Sequence, residues 1–221
     1  MMRGADIVVR SLIAEQAELI FGYPGGAIMP VYDALYDYHE QIKHVLTRHE
    51  QGAIHAAQGY ARVSGKVGVC LATSGPGATN LITGLADALI DSTPLVCITG
   101  QVAAHLLGTD AFQETDVVGM SMPGTKWNIQ VQKVEDIAPA IAKGFYIARS
   151  GRPGPVLIDM TKNAQVDFGA FNYAPCLGFR SYKTHIPVEK TSIQKAAELI
   201  NAAERPYMLF GQGVVLGKAE A

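Results

Sequence analysis

Cysteine is scarce in this chain, three among 221 residues, and no two form a CxxC pair. Cys70 and Cys97 lie inside apolar runs, where a free thiol behaves as a small hydrophobe. The pattern gives no disulfide framework and suits a reducing, cytoplasmic compartment. An excess of one charge is also missing: 18 Lys and Arg against 20 Asp and Glu leave a net charge of −2. With no basic cluster to neutralise phosphates, nucleic acid and acidic membrane surfaces are not expected partners. The six histidines are scattered, and none falls in a metal-ligand motif, so no metal site is expected. The N-terminus leads into a helical pattern rather than an apolar block, so no signal peptide is expected. Residues 67–86 run 20 positions without a charge, but Ser74-Gly75-Pro76-Gly77 and Asn80 interrupt them. They read as a buried strand, a turn and a buried helix, not a membrane span. A helix so poor in charge is expected to be covered by the sheet and by another subunit. What is present, 48% hydrophobic and 17% charged residues, suits a soluble globular protein with one full domain and part of another.

Taken in order, Ile7, Val8, Leu12 and Ile13 repeat at helical spacing and predict a helix over 4–17. A strand over 19–23 ends in Pro24-Gly25-Gly26, whose glycines allow positive φ and a close ligand approach. A helix over 27–38 and a strand over 42–46 follow. Arg48-His49-Glu50-Gln51-Gly52-Ala53 then turns into a helix that runs to about Val63. The next strand, 67–72, is apolar on both faces, as in a parallel sheet covered by helices. Ser74-Gly75-Pro76-Gly77 opens a helix over 78–90, and a strand over 95–99 leads into an irregular stretch, 101–114, too long for a plain connection. A strand over 127–131, a helix over 134–148 and a strand over 154–159 complete an alternation that predicts an α/β fold with a doubly wound parallel sheet. Periodicity vanishes over 163–187, which reads as an ordered linker draped over a surface, with Phe171 and Tyr173 as isolated aromatics. A helix over 192–203 and a strand over 206–210, ending in Gly211-Gln212-Gly213, read as the start of a second α/β domain. One helix and one strand bury no core, so the chain is expected to be cut off.

The Glu50 turn organises the rest. In open parallel α/β sheets ligands bind at the carboxyl ends of strands, so a strand-to-helix turn points at the site. By itself Glu50 reads first as an acid complementing the helix dipole, and its company along the chain changes that. Ser74-Gly75-Pro76-Gly77 offers backbone N–H groups to an anion; it lacks the Lys-Ser/Thr ending of a P-loop and also reads as a tight packing turn. Gly211-Gln212-Gly213 is a weak match to a dinucleotide fingerprint, since Gly217 comes one position late. Phe112 and Gln113 lie in the long loop as either packing or functional residues. Lys162 and Arg152 read equally as solvated surface residues.

Together these segments resemble the catalytic subunit of the acetolactate synthase (acetohydroxyacid synthase) family of thiamine-diphosphate enzymes. The stretches that carry the resemblance are Phe21-Gly22-Tyr23-Pro24-Gly25-Gly26-Ala27, Arg48-His49-Glu50-Gln51-Gly52, Ala72-Thr73-Ser74-Gly75-Pro76-Gly77-Ala78-Thr79-Asn80, Ile98-Thr99-Gly100-Gln101-Val102, the loop 108–114, and Gly151-Arg152-Pro153-Gly154-Pro155-Val156. The chain departs from the family pattern at Ala103, Ala104 and His105, and in Asp159-Met160-Thr161-Lys162, where the family usually has Asp-x-Pro-Lys.

The resemblance implies roles. Glu50 would hydrogen-bond the cofactor's aminopyrimidine ring and promote loss of the thiazolium C2 proton, so that this carbon attacks pyruvate. Phe112 and Gln113 would line the substrate side. Gly25, Gly26, Ala27, Pro76 and Asn80 would border the cofactor, and Lys162 a substrate channel. Arg152, Gly211 and Gly213 would contact FAD, mainly a structural cofactor. Mg²⁺ and the diphosphate would belong to a domain this chain does not hold. The implied layout is a pyrimidine-binding domain over 1–162, a linker over 163–187 and the start of a central FAD-binding domain over 188–221. The implied activity decarboxylates pyruvate and transfers the hydroxyethyl group to pyruvate or 2-oxobutyrate, for branched-chain amino-acid synthesis. It would be exercised in a homodimer or higher homo-oligomer, with a small regulatory subunit as a further partner. By itself this chain would be silent. Alternatives are a pyruvate oxidase or 2-oxoacid decarboxylase of the same superfamily, or a non-catalytic half-protein that pairs with a separate chain.

Overall fold

The computed structural model describes residues 1–184 and 187–219. Its elements are β1 (Met2–Arg3), α1 (Gly4–Ala14), β2 (Leu19–Gly22), α2 (Met29–Asp37), β3 (Lys43–Leu46), α3 (Glu50–Ser64), β4 (Gly68–Ala72), α4 (Pro76–Thr79), α5 (Ile82–Ile90), β5 (Leu95–Gln101), α6 (Val117–Ser121), β6 (Trp127–Val131), α7 (Ile137–Arg149), β7 (Pro155–Thr161), α8 (Lys162–Val166), β8 (Phe168–Gly169), α9 (Lys190–Ala202) and α10 (Gln212–Leu216). Six strands form one sheet in the order β3-β2-β4-β5-β7-β6, and each neighbouring pair is parallel. The expected α/β class and doubly wound parallel sheet are what the chain adopts.

The pleat sends alternate residues to opposite faces, and the core divides accordingly. Val69, Leu71, Val96, Ile98, Val156 and Ile158 pack with α1, α2 and α7. Cys70, Ala72, Leu95, Cys97 and Leu157 pack with α3 and α5. Both sheet faces are thus covered, which is why the strands read as continuous apolar runs. Close approach of α3 to α5 depends on Gly84, where an added Cβ would lie 2.3 Å from Cγ2 of Ile54. After β2 the chain steps outward to β3, then returns to β4 on the other side of β2. This switch point sits between the carboxyl ends of β2 and β4, where such sheets open a crevice.

Several local expectations change. The helix expected over 78–90 is two pieces, α4 and α5, divided at Asn80 and Leu81. The unperiodic stretch after 162 begins with a helical turn, α8, and β8 pairs antiparallel with β1; pairing over two residues leaves no periodic trace. Beyond it, Phe171 and Tyr173 stack with ring centroids 6.3 Å apart, and Arg10 lies over Phe171 at 4.5 Å. Glu15 accepts from Tyr173 and, at 2.8 Å, from Arg149. Met1–Thr184 form one compact unit.

The residues after it form a second, small unit containing α9 and α10. The strand expected over 206–210 does not form among its described residues. A strand needs a neighbour to complete its ladder, and Tyr207, Leu209 and Phe210 are exposed. No helix of the described residues is long and apolar enough to cross a membrane.

Candidate functional site

The site is built where three connections leave the carboxyl ends of β2, β3 and β4. After β3, His49 is extended and its Nδ1 accepts from the Gln51 amide at 3.1 Å, which caps α3. Glu50 is thereby the first residue of α3, yet it is only 8% exposed. A buried carboxylate needs donors. Asn80, just past α4, provides one: its Nδ2 donates to Oε2 at 2.9 Å. Among the described residues no side chain donates to Oε1. An added Cβ at Gly77 would lie 3.1 Å from that oxygen, so glycine keeps the space beside it free.

Thr73, at the end of β4, ties the other two connections together. The Ala27 N–H donates to its Oγ1 at 3.2 Å. A Cβ at Gly25 would fall 2.5 Å from Thr73 Cβ, and one at Gly77 would fall 2.7 Å from its Cγ2. Only glycine allows this approach at both places. Gly26 has open space where a side chain would be. Pro76 is the first residue of α4, preceded by Gly75 at φ +57°, and the Gly77 amide turns back to Ser74 O at 3.3 Å.

The long loop closes over this edge. Gln113 is left-handed at φ 59°, and a Cβ on Gly75 would lie 2.7 Å from its carbonyl oxygen. Phe112 beside it is 88% exposed. The Gly108 amide and, at 3.1 Å, the Ala111 amide donate to Glu114. These bonds, that from Gly108 first, hold the Glu114 carboxyl below its usual range. The loop is anchored below by Gln101, whose Nε2 donates to Thr115 O at 2.9 Å and to Asp159 Oδ2 at 3.1 Å. Asp159 is fully buried and also accepts from Thr99 Oγ1 at 2.7 Å and Gln130 Nε2 at 3.1 Å. Burial pushes its pKa up to about 6 against those donors.

The structure thus brings together Glu50, Asn80, Pro76, Gly25, Gly26, Ala27 and Gln113, with Phe112 adjoining. Lys162 joins them, its Nζ donating to Gly26 O at 2.6 Å. Arg152 is elsewhere. It precedes β7, at the opposite end of the sheet, and donates to Ser92 Oγ at 2.8 Å and Ile90 O at 2.9 Å. Gly211 and Gly213 lie in the second unit, Gly211 before α10 and Gly213 within it. Sequence reasoning passed over Thr73, Asp159 and Gln165. A lone acid inside the apolar run 156–160 was a signal for Asp159; Gln165 carries none, because its partners are distant in sequence. Among the described residues no group of three or more His, Cys, Asp or Glu is placed to hold a metal ion.

The arrangement offers a buried carboxylate with one oxygen uncommitted, beside glycine-lined backbone and a helix start. It suits a flat heterocycle that donates a hydrogen bond to the acid. Residues 2–120 match the family model described as thiamine pyrophosphate enzyme, N-terminal TPP binding domain. The chain is 51% identical to an acetolactate synthase of Mycobacterium bovis over 218 residues, 99% of this chain and 35% of that protein. It is 51% identical to the acetolactate synthase large subunit of Corynebacterium glutamicum over 220 residues, 100% of this chain and 35% of that protein. It is also 51% identical to the acetolactate synthase isozyme 2 large subunit of Escherichia coli K12, over 99% of this chain and 39% of that protein. The chain therefore spans little more than a third of the length of these curated relatives.

Proposed function

The chain belongs to the thiamine pyrophosphate enzymes, through their N-terminal TPP binding domain, and from that membership we propose that it supplies the pyrimidine-binding part of an acetolactate synthase. The observation that carries the proposal is the Glu50 carboxylate: buried, held through Oε2 by Asn80, and with Oε1 beside Gly77. Thiamine diphosphate, when bound, supplies the carbon nucleophile for pyruvate. Glu50 would share a proton with the aminopyrimidine ring nitrogen and so would promote loss of the thiazolium C2 proton. Asn80 fixes the carboxylate's orientation. Gly25, Gly26, Ala27 and Pro76 would present backbone at the ring, and the 108–114 loop, with Phe112 and Gln113, would line the substrate side. Lys162 borders the entry. Pyruvate is the donor substrate and pyruvate or 2-oxobutyrate the acceptor, which places the activity in valine, leucine and isoleucine synthesis.

The remaining assignments rest on the resemblance. We assign 1–162 to the pyrimidine-binding domain, 163–187 to a linker and 188–221 to the start of a central FAD-binding domain. FAD would be structural, with Arg152, Gly211 and Gly213 as its contacts; no step passes through it. On the same resemblance, a separate domain would bind the magnesium ion. A homodimer or higher homo-oligomer and a small regulatory subunit are the proposed protein partners. Three free thiols support a cytoplasmic location.

The test compares wild type with Glu50→Gln, in the longest polypeptide the gene encodes, supplied with pyruvate, thiamine diphosphate, Mg²⁺ and FAD. Acetolactate from the wild type and a loss of about 100-fold or more in the variant, with unchanged circular dichroism, is expected. Acetaldehyde or acetyl phosphate instead of acetolactate would move the protein to another branch of the family. Equal rates would leave Glu50 as a helix-terminus acid.

A further inference from the structure

Gln165 sits in α8 and is fully buried. Its Nε2 donates to Ala27 O at 2.9 Å and to Met160 O at 3.1 Å. Both partners are carbonyls, so only one orientation of the amide satisfies them. That orientation leaves Gln165 Oε1 buried without a partner among the described residues. An orphaned buried acceptor is costly; the residue accepts that cost to deliver its N–H groups to Ala27 and to the end of β7.

Ala27 is consequently gripped through both of its backbone groups. Its N–H goes to Thr73 Oγ1 and its C=O receives Gln165. Behind it, a Cβ at Gly100 would fall 2.6 Å from the Ala27 carbonyl carbon, so β5 is pressed directly against the turn. The next peptide upstream is held by Lys162 at Gly26 O. Thr73 in turn abuts both Gly25 and Gly77, and Gly77 stands beside Glu50. A continuous line of contacts therefore runs Gln165, Ala27, Thr73, Gly77, Glu50, from the end of β7 to the carboxylate.

We propose that Gln165 is a positioning residue, which locks the Gly25-Gly26-Ala27 turn in register with Glu50 so that thiamine diphosphate meets a preformed backbone edge. The proposal rests on the functional reading above and adds a residue that touches neither substrate nor cofactor. Preorganisation of this kind acts on binding more than on the chemical step.

The experiment uses the longest polypeptide the gene encodes. Gln165→Met keeps the length of the side chain and removes both donors. Thiamine diphosphate binding is measured by equilibrium dialysis, and kcat at saturating cofactor is measured beside it. The expected result is a Kd weakened at least about tenfold with kcat within about threefold of wild type. Thr73→Val frees Ala27 from the other side and gives the same split; it decides the matter where Gln165→Met does not fold. The double variant loses less than the product of the single losses, because both act on one residue. A Kd within twofold of wild type in a folded single variant overturns the proposal, as does a fall in kcat with Kd unchanged. Failure of the wild type to bind thiamine diphosphate overturns the functional reading, and this proposal with it. A harmless Gln165→Met overturns this proposal alone.

Discussion

The two ends of the sheet solve opposite electrostatic problems. At the carboxyl end, helices begin: α3 at Glu50 and α4 at Pro76 bring their amino ends to one place. His49 Nδ1 accepts from the Gln51 amide, and Lys162 Nζ donates to Gly26 O. The connections are pressed together through glycines, Gly25 and Gly77 on Thr73, Gly75 on Gln113, Gly100 on Ala27. At the amino end, helices finish, and their orphan carbonyls are closed by cations. Arg152 donates to Ile90 O at the end of α5. Lys126 Nζ donates to Ile147 O and, at 2.8 Å, to Ser150 O at the end of α7. Arg62 in the last turn of α3 pairs with Asp91. One end has its helix carbonyls closed by side chains; the other keeps a carboxylate oxygen, Glu50 Oε1, with no side-chain donor among the described residues. In open parallel α/β sheets the carboxyl end is the one that takes ligands.

The hardest blow to this contrast is Gly77→Val. Its branched side chain would meet Thr73 and Glu50 at once, where even a Cβ lies 2.7 Å and 3.1 Å away. Overpacking of this kind costs about 1–3 kcal/mol in stability. The site loses more, because Glu50 is displaced by the same contact. We expect activity to fall by about 100-fold or more, which matches removal of a proton-transfer group. Gly59→Ala in α3 is the control, since nothing lies within 4 Å of its Cβ position. An active Gly77→Val enzyme would mean that the glycines at this end only pack helices.

Much of this was legible in the sequence. The shift from the run 42–46 to the spacing of Ala53, Ile54, Ala57 and Ala61 put Glu50 at a strand-to-helix turn, and that is where it is. Strand and helix types followed because buried parallel strands are apolar on both faces. What failed had a common cause. The expected strand over 206–210 has apolar composition, but a strand is made by its neighbour. α6 and α8 are five residues each, too short to show a period. Thr73 and Gln165 escaped because each acts on Ala27 across 46 and 138 residues of chain, and no local pattern reports a hydrogen bond of that span. Arg152, assigned to FAD rather than to the Glu50 site, lies before β7 at the amino end of the sheet.

A second test concerns the charge buried just below the site. Asp159 is pushed from 3.8 to about 6, mainly by burial, with Thr99, Gln130 and Gln101 pulling the other way. The folded value lies above the unfolded one, so the proton favours folding. The contribution is complete below about pH 4 and is lost as pH rises through about 6. The shift corresponds to about 3 kcal/mol. Urea unfolding of wild type and Asp159→Asn from pH 4 to pH 8 isolates it. The wild type should gain stability relative to the variant as pH falls through this window. Parallel curves would show that the three donors fully offset burial, and that this end of the sheet carries no electrostatic cost.

The smallest effect belongs to the sealed end. Arg152→Ala removes two hydrogen bonds, to Ser92 Oγ and Ile90 O, from an exposed side chain. Each such bond contributes about 0.5–1.5 kcal/mol net, and exposure keeps the total near the lower figure. Thermal unfolding should therefore move by only about 1–2 °C. Thiamine diphosphate affinity should not move at all, because the whole length of β7 separates Arg152 from Lys162 and the Gly26 turn. A drop in cofactor affinity comparable with that of Gly77→Val would show that the two ends are coupled and that the contrast between them is false. Loss of bound flavin with an unchanged unfolding curve would give Arg152 to FAD rather than to the end of α5. A small shift in unfolding with flavin and thiamine diphosphate both retained would make it what its contacts describe, the cation that closes a helix.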